Sequence, residues 1–247
     1  MEIKNFIGTS GYYYFHWKGI FYPEGLPSTK FLTYYIHYFD TLELNSTFYH
    51  IPKETTIKQW KNNLPEDFIM SVKANKNITH IRRLKNAETE INEFLRKIAL
   101  LQGKLGVILF QLPPSLKKDL TILKDFTNLL NIEKMKFAIE FRHDSWLDDN
   151  VYEVLKEKNI AFCISDSAYY PFAEEITADF TYIRFHGHES LYASNYSNAD
   201  LKSYAEKIKK WNEKGISSFC YFNNDFGGFA VKNALHLKEL VKNLQPE

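Results

Sequence analysis

Residues 182–186 read Tyr-Ile-Arg184-Phe-His186, and residues 138–142 read Ala-Ile-Glu140-Phe-Arg142. Side chains alternate faces along a strand. Arg184 and His186 therefore share one face against Ile183 and Phe185, and Glu140 and Arg142 share one face against Ile139 and Phe141. The pattern returns in Leu42-Glu43-Leu44-Asn45 and Cys220-Tyr221-Phe222-Asn223, while Lys73, Gln111 and Asp166 each end an apolar run. The outer face of a covered strand cannot hold an unpaired charge without a large desolvation cost. The polar set is therefore expected to point into a common interior, at the C-terminal end of each strand.

Working outward, eight short apolar runs occur, at 6–8, 41–45, 68–73, 107–112, 136–141, 160–165, 181–186 and 218–223. Most are continuously hydrophobic, as parallel strands covered on both faces are. Between them, segments 29–39, 54–63, 88–101, 120–130, 148–158, 198–214 and 228–243 place apolar residues at helical spacing. The link 167–179, with Pro171, is too short for a good helix and is read as a turn. Eight strands alternating with seven helices predict one (β/α)8 TIM barrel over residues 1–247, its sixth helix short or missing. A doubly wound open sheet is the alternative; it would use fewer strands and a Gly-rich first turn, and G-x-G-x-x-G is absent.

Composition narrows the function classes. With 31 basic against 30 acidic residues the chain is near neutral, which argues against a nucleic-acid coat protein and against membrane attachment by bulk charge. No apolar stretch spans a bilayer, and the start MEIKNFIGTSG lacks a signal layout. Cys163 and Cys220 are the only cysteines, so a disulfide framework is excluded and a cytoplasmic location is expected. Both are expected beneath helices, inert. Aromatic residues make up 16% of the chain. Tyr12, Tyr13, Tyr14, Phe15, Trp17, Phe48, Tyr49, Trp146, Tyr192 and Tyr196 follow strands, on the face of the polar cluster. They can stack a sugar or base, or form a satellite core.

Gly8-Thr9-Ser10-Gly11, Phe21-Tyr22-Pro23, Glu43-Leu44-Asn45-Ser46-Thr47-Phe48-Tyr49, Phe110-Gln111-Leu112-Pro113, Glu140-Phe141-Arg142, Thr177-Ala178-Asp179-Phe180, Arg184-Phe185-His186-Gly187 and Tyr221-Phe222-Asn223-Asn224-Asp225 form an ordered set. Together they resemble the YecE-like family, catalogued as domain-of-unknown-function family number 72. The resemblance runs from about Gly8 to Ala234 and implies a TIM barrel but no particular reaction. Tyr12 stands where the family often has Trp after the Gly-Thr-Ser-Gly run, a change expected in the pocket wall.

The functional expectation is an enzyme using acid–base chemistry, hydrolysis or isomerisation, on a small or medium polar, anionic substrate at the barrel mouth. His186, with an unperturbed pKa near 6.5, and Glu140 are the expected proton-transfer groups, with Glu43 and Asp166 as further acidic candidates. Lys73, Arg142 and Arg184 are expected to hold the anion, with Asn45, Gln111, Asn223 and Tyr192 completing substrate binding. The residues 73–85, rich in Lys and Arg and free of acids, would draw anions, and Gly227-Gly228 could bind phosphate at the last helix. No cofactor is required on this reading. A divalent ion, Mg²⁺ or Mn²⁺, is a secondary option on the carboxylates, disfavoured by the cations among them. Two competing readings stay open. One is a salt-bridge plug of Glu140 with Arg142 and Arg184. The other is a non-catalytic binder of nucleic acid or nucleotide using the basic loop and aromatic rim.

Overall fold

Strands and helices alternate through residues 3–130 and 133–244, which the computed structural model describes. The strands are β1 (Asn5–Thr9), β2 (Thr41–Leu44), β3 (Ile69–Lys73), β4 (Leu105–Gln111), β5 (Lys136–Glu140), β6 (Ala161–Ser167), β7 (Phe180–Gly187) and β8 (Ser217–Phe222). The helices are α1 (Phe31–Tyr35), α2 (Ser46–Tyr49), α3 (Glu54–Asn63), α4 (Glu88–Ile98), α5 (Leu120–Asn128), α6 (Asp149–Glu157), α7 (Asn198–Asn212) and α8 (Phe229–Leu244). All ladders are parallel, in the order β1-β8-β7-β6-β5-β4-β3-β2. This is a TIM barrel, as expected, and β6 runs to β7 without a helix. No helix among the described residues is long and apolar enough to cross a membrane.

Local chemistry accounts for the helix starts. Asp119 and Asp148 accept backbone N–H bonds at the first turns of α5 and α6. Ser197 and Asp200 form a reciprocal capping box on α7. The first helical segment is broken: a 3₁₀ turn at Ser28–Lys30 precedes the short α1, and α2 is a single turn that the sequence pattern did not reveal.

The barrel closes unevenly. β1 pairs with β8 along its whole length, but meets β2 only through a bridge between Ser10 and Glu43, with Gly11 N–H donating to the Glu43 carbonyl at 2.8 Å. In the gap below, the Tyr35 hydroxyl from α1 takes the place of ladder bonds. It accepts from Thr9 N–H at 3.0 Å and donates to the Thr41 carbonyl at 3.1 Å. Gly8 lets the strands approach here, because a Cβ would sit 2.5 Å from Thr41 O.

Inside the barrel, Val107, Leu109, Ala138, Ala161, Cys163, Phe180 and Phe219 pack together with Tyr182 and Tyr221. The Tyr221 hydroxyl bonds Thr41 at 2.7 Å and Ser71 at 2.9 Å, so this interior phenol is satisfied. Cys163 belongs to this interior cluster, contrary to the expectation that both thiols lie beneath helices; Cys220 does lie on the helix side. Burial pushes both thiols up, so neither is a ready thiolate.

Candidate functional site

Above the tyrosines, β2, β5 and β7 carry three charged side chains into the interior. Arg184 is the hub. Its Nε and Nη2 donate to one Glu43 oxygen at 3.1 and 2.8 Å, and its Nη1 donates to Glu140 at 2.7 Å. Tyr182 donates to the second Glu43 oxygen at 2.6 Å, and the Ser10 hydroxyl also bonds Glu43. Arg142 Nε donates to the other Glu140 oxygen at 2.9 Å. Glu43 and Glu140 have 0% exposure and Arg184 has 1%. Burial would raise the Glu140 carboxyl, but Arg142 and Arg184 hold it well below the usual carboxylate range. Two guanidiniums thus balance two carboxylates in a buried, hydrogen-bonded layer.

His186 lies in the same layer, fully buried. Its Nε2 is 3.2 Å from Glu140 but out of line for a hydrogen bond, and Nδ1 is 3.1 Å from the Asn223 amide. Desolvation pulls its imidazole down to about 4 despite the neighbouring Glu140, so it is neutral at pH 7. Glu43, Glu140 and His186 form the floor and do not face the space above it. This corrects the expectation that Glu140 and His186 border the open volume. Strand parity gives a side chain's direction but not its depth.

Asp166 departs further. It points away from the barrel axis, accepting from Tyr204 of α7 at 2.5 Å and from Tyr196 at 3.0 Å. Ser165, not Asp166, shares the interior phase of Cys163. Two phenols satisfy the outward carboxylate, so the rule that charges must face inward fails at this position.

Over the floor lies a cavity of about 600 Å³. Its lining includes all seven residues assigned to substrate binding: Asn45, Lys73, Gln111, Arg142, Arg184, Tyr192 and Asn223. Tyr14, Phe48, Tyr49, His80, Pro114 and Asp225 complete the wall. Trp17, Trp146 and Tyr196, by contrast, are buried in the main hydrophobic core. A hollow of about 730 Å³ bordered by Ile3, Lys209 and Leu244 brings together no comparable set of charges. Gly227 and Gly228 do not border the 600 Å³ cavity.

Lys73, at the end of β3, extends over the Phe48 ring, with Nζ 4.2 Å from its centroid. Among the described residues no hydrogen bond or carboxylate engages this nitrogen. Burial pulls the ammonium down to about 7, with Arg184 and Arg142 adding to the effect and Glu140 and Glu43 opposing it. Arg142 Nη1 donates to Tyr170 at 3.0 Å, and Nη2 has no hydrogen bond among the described residues. The Asn45 Oδ1 atom is buried without a partner. Asp225 bonds Trp17 and lies 2.9 Å from His16, and burial pushes its carboxyl up. Tyr192 sits at φ 63°, a left-handed conformation that is unusual for an aromatic residue.

His80, which the strand pattern does not single out, is in the wall. Burial first, then the Lys73 and Arg142 charges, pulls it down to about 4. The basic loop that carries it is partly neutralised: Arg82 pairs with Glu90, and Arg83 donates to Ser115. No group of three or more His, Cys, Asp or Glu side chains among the described residues is arranged to hold a metal ion.

Comparison with known proteins agrees with this architecture. The chain is similar to the UPF0759 protein YunF of Bacillus subtilis, with 24% identity over 89% of each chain. Its fold is similar to that of a DUF72 family protein from Thermotoga maritima, at TM-score 0.87 and 30% identity over 97% of this chain and 99% of that one. A DUF72 family protein from Enterococcus faecalis is also similar, at TM-score 0.79 and 22% identity over 99% of both. The family model described as protein of unknown function DUF72 matches residues 6–247, and the chain belongs to that family.

Proposed function

We propose that the barrel mouth binds a small anionic substrate between Lys73 and Arg142 and acts on it by acid–base chemistry, with Lys73 as the proton-transfer group. One observation carries this reading: an ammonium without a carboxylate partner faces a substrate-sized cavity, beside a guanidinium with a free edge. A group whose pKa lies near 7 can give and take protons at neutral pH. Arg142, which completes the charge balance of the floor, is held in position by Glu140.

Arg82 and Arg83 are engaged by Glu90 and Ser115 at the surface, so the loop offers fewer free cations to a nucleic-acid backbone than its composition suggests. That favours a small anion over the nucleic-acid reading. The test is titration with inorganic phosphate, followed by calorimetry and by NMR of the Lys73 ammonium. Binding that weakens about tenfold or more in Lys73→Met, a loss of roughly 1.4 kcal/mol, supports the reading. Equal binding by both proteins overturns it.

A further inference from the structure

Lys73 has the attributes of an amine nucleophile as well as those of a proton carrier. Its Nζ rests against the Phe48 ring, forms no hydrogen bond or ion pair among the described residues, and opens onto the cavity. Arg142, with one edge free, and Asn45, with an orphaned buried Oδ1, line the same cavity. We propose that Lys73 forms a Schiff base with an aldehyde or ketone whose carboxylate or phosphate is held by Arg142.

The neutral amine adds to the carbonyl carbon to give a carbinolamine. The carbon–oxygen bond then breaks, and the two amine hydrogens leave with the carbonyl oxygen as water, giving a C=N bond. No oxidant or reductant is needed. A lysine in an apolar setting next to other cations is activated for this step, because a large share of it is unprotonated near neutrality. Tyr192, at positive φ, packs edge-on against His186 and lines the same cavity.

This inference rests on the anion-binding reading, and one experiment separates the two. The full-length protein is incubated with pyruvate or with dihydroxyacetone phosphate, reduced with sodium borohydride, digested and mapped by mass spectrometry. The expected result is one predominant adduct, on Lys73, at least tenfold above any other lysine. It is absent in Lys73→Arg and suppressed by excess inorganic phosphate. Circular dichroism of Lys73→Arg establishes that the variant is folded. If phosphate binds the wild-type protein but Lys73 acquires no preferential adduct, the Schiff-base inference fails and the anion site stands. If phosphate does not bind and no adduct forms, both fail.

Discussion

The floor of the mouth and the wall above it are built from the same residue types and behave oppositely. On the floor, every nitrogen of Arg184 has an acceptor and both carboxylates are engaged at both oxygens. In the wall, Lys73 Nζ, resting on the Phe48 ring, and Arg142 Nη2 have no hydrogen-bond acceptor among the described residues. Charge inside a barrel is thus not itself the mark of a site. Saturated charge holds the structure in one arrangement, and unsaturated charge is what a ligand can complete.

The sharpest way to break this contrast is to remove the hub. Arg184→Ala leaves two buried carboxylates facing each other, and urea denaturation should report a loss of about 3–5 kcal/mol. Replacing Arg184, Glu43 and Glu140 together by Met, Gln and Gln should recover most of it. A single-variant loss under about 1 kcal/mol would mean the floor is not a closed network.

Acid should attack the floor next. The His186 pKa is about 4 when folded and about 6.5 when unfolded, so between these values the unfolded chain binds the extra proton. Stability contributed by neutral His186 is therefore full above pH 6.5 and falls as pH drops towards 4, by about 3 kcal/mol. Glu140, lowered when folded, adds a further loss below its unfolded value. Denaturation midpoints at pH 6.5, 5 and 4 should show the fall, with a flatter profile in His186→Asn.

The wall should respond with the same sign, in a higher pH window. The Lys73 pKa is depressed on folding, so its penalty is complete below pH 7 and vanishes above the unfolded value near 10.5. Lys73→Met should stabilise the protein at pH 6 by about 2 kcal/mol, a figure discounted because Nζ reaches cavity water. The gain should fade as pH approaches 10.5. Destabilisation at pH 6 would place Lys73 among the structural groups. The smallest effect is expected outside the barrel: Asp166→Asn should cost about 1 kcal/mol and leave phosphate binding unchanged.

Much of the fold was legible because parallel strands covered on both faces write continuous apolar runs, and all eight runs coincide with strands. The β1–β2 gap was not, since nothing in a hydropathy pattern reveals that the Tyr35 hydroxyl substitutes for backbone bonds. At the mouth, position at strand ends identified Asn45, Lys73, Gln111, Arg142 and Asn223 as cavity residues, and the aromatic residues after β7 supplied Tyr192. The same logic misplaced Asp166, because the phenols that satisfy it come from α7 and the preceding loop, far away in sequence. It overvalued His186 and Glu140, whose depth depends on the packing of neighbouring strands. His80 escaped notice because it stands alone in an irregular turn, where periodicity carries no information.

The uneven seam also imposes an order on synthesis. β1 leaves the ribosome first, yet its full ladder is with β8, whose residues pair Asn5 with Ser218 and Thr9 with Phe222. At about 5–20 residues per second, the first strand must wait roughly 10–40 seconds for its principal neighbour to be made. Only Tyr35, the Ser10–Glu43 bridge and the β2 edge can hold it meanwhile. A nascent chain of this protein therefore carries an unsealed barrel until its last strand emerges, and the apolar residues of β1 and β2 are the surface a chaperone would meet.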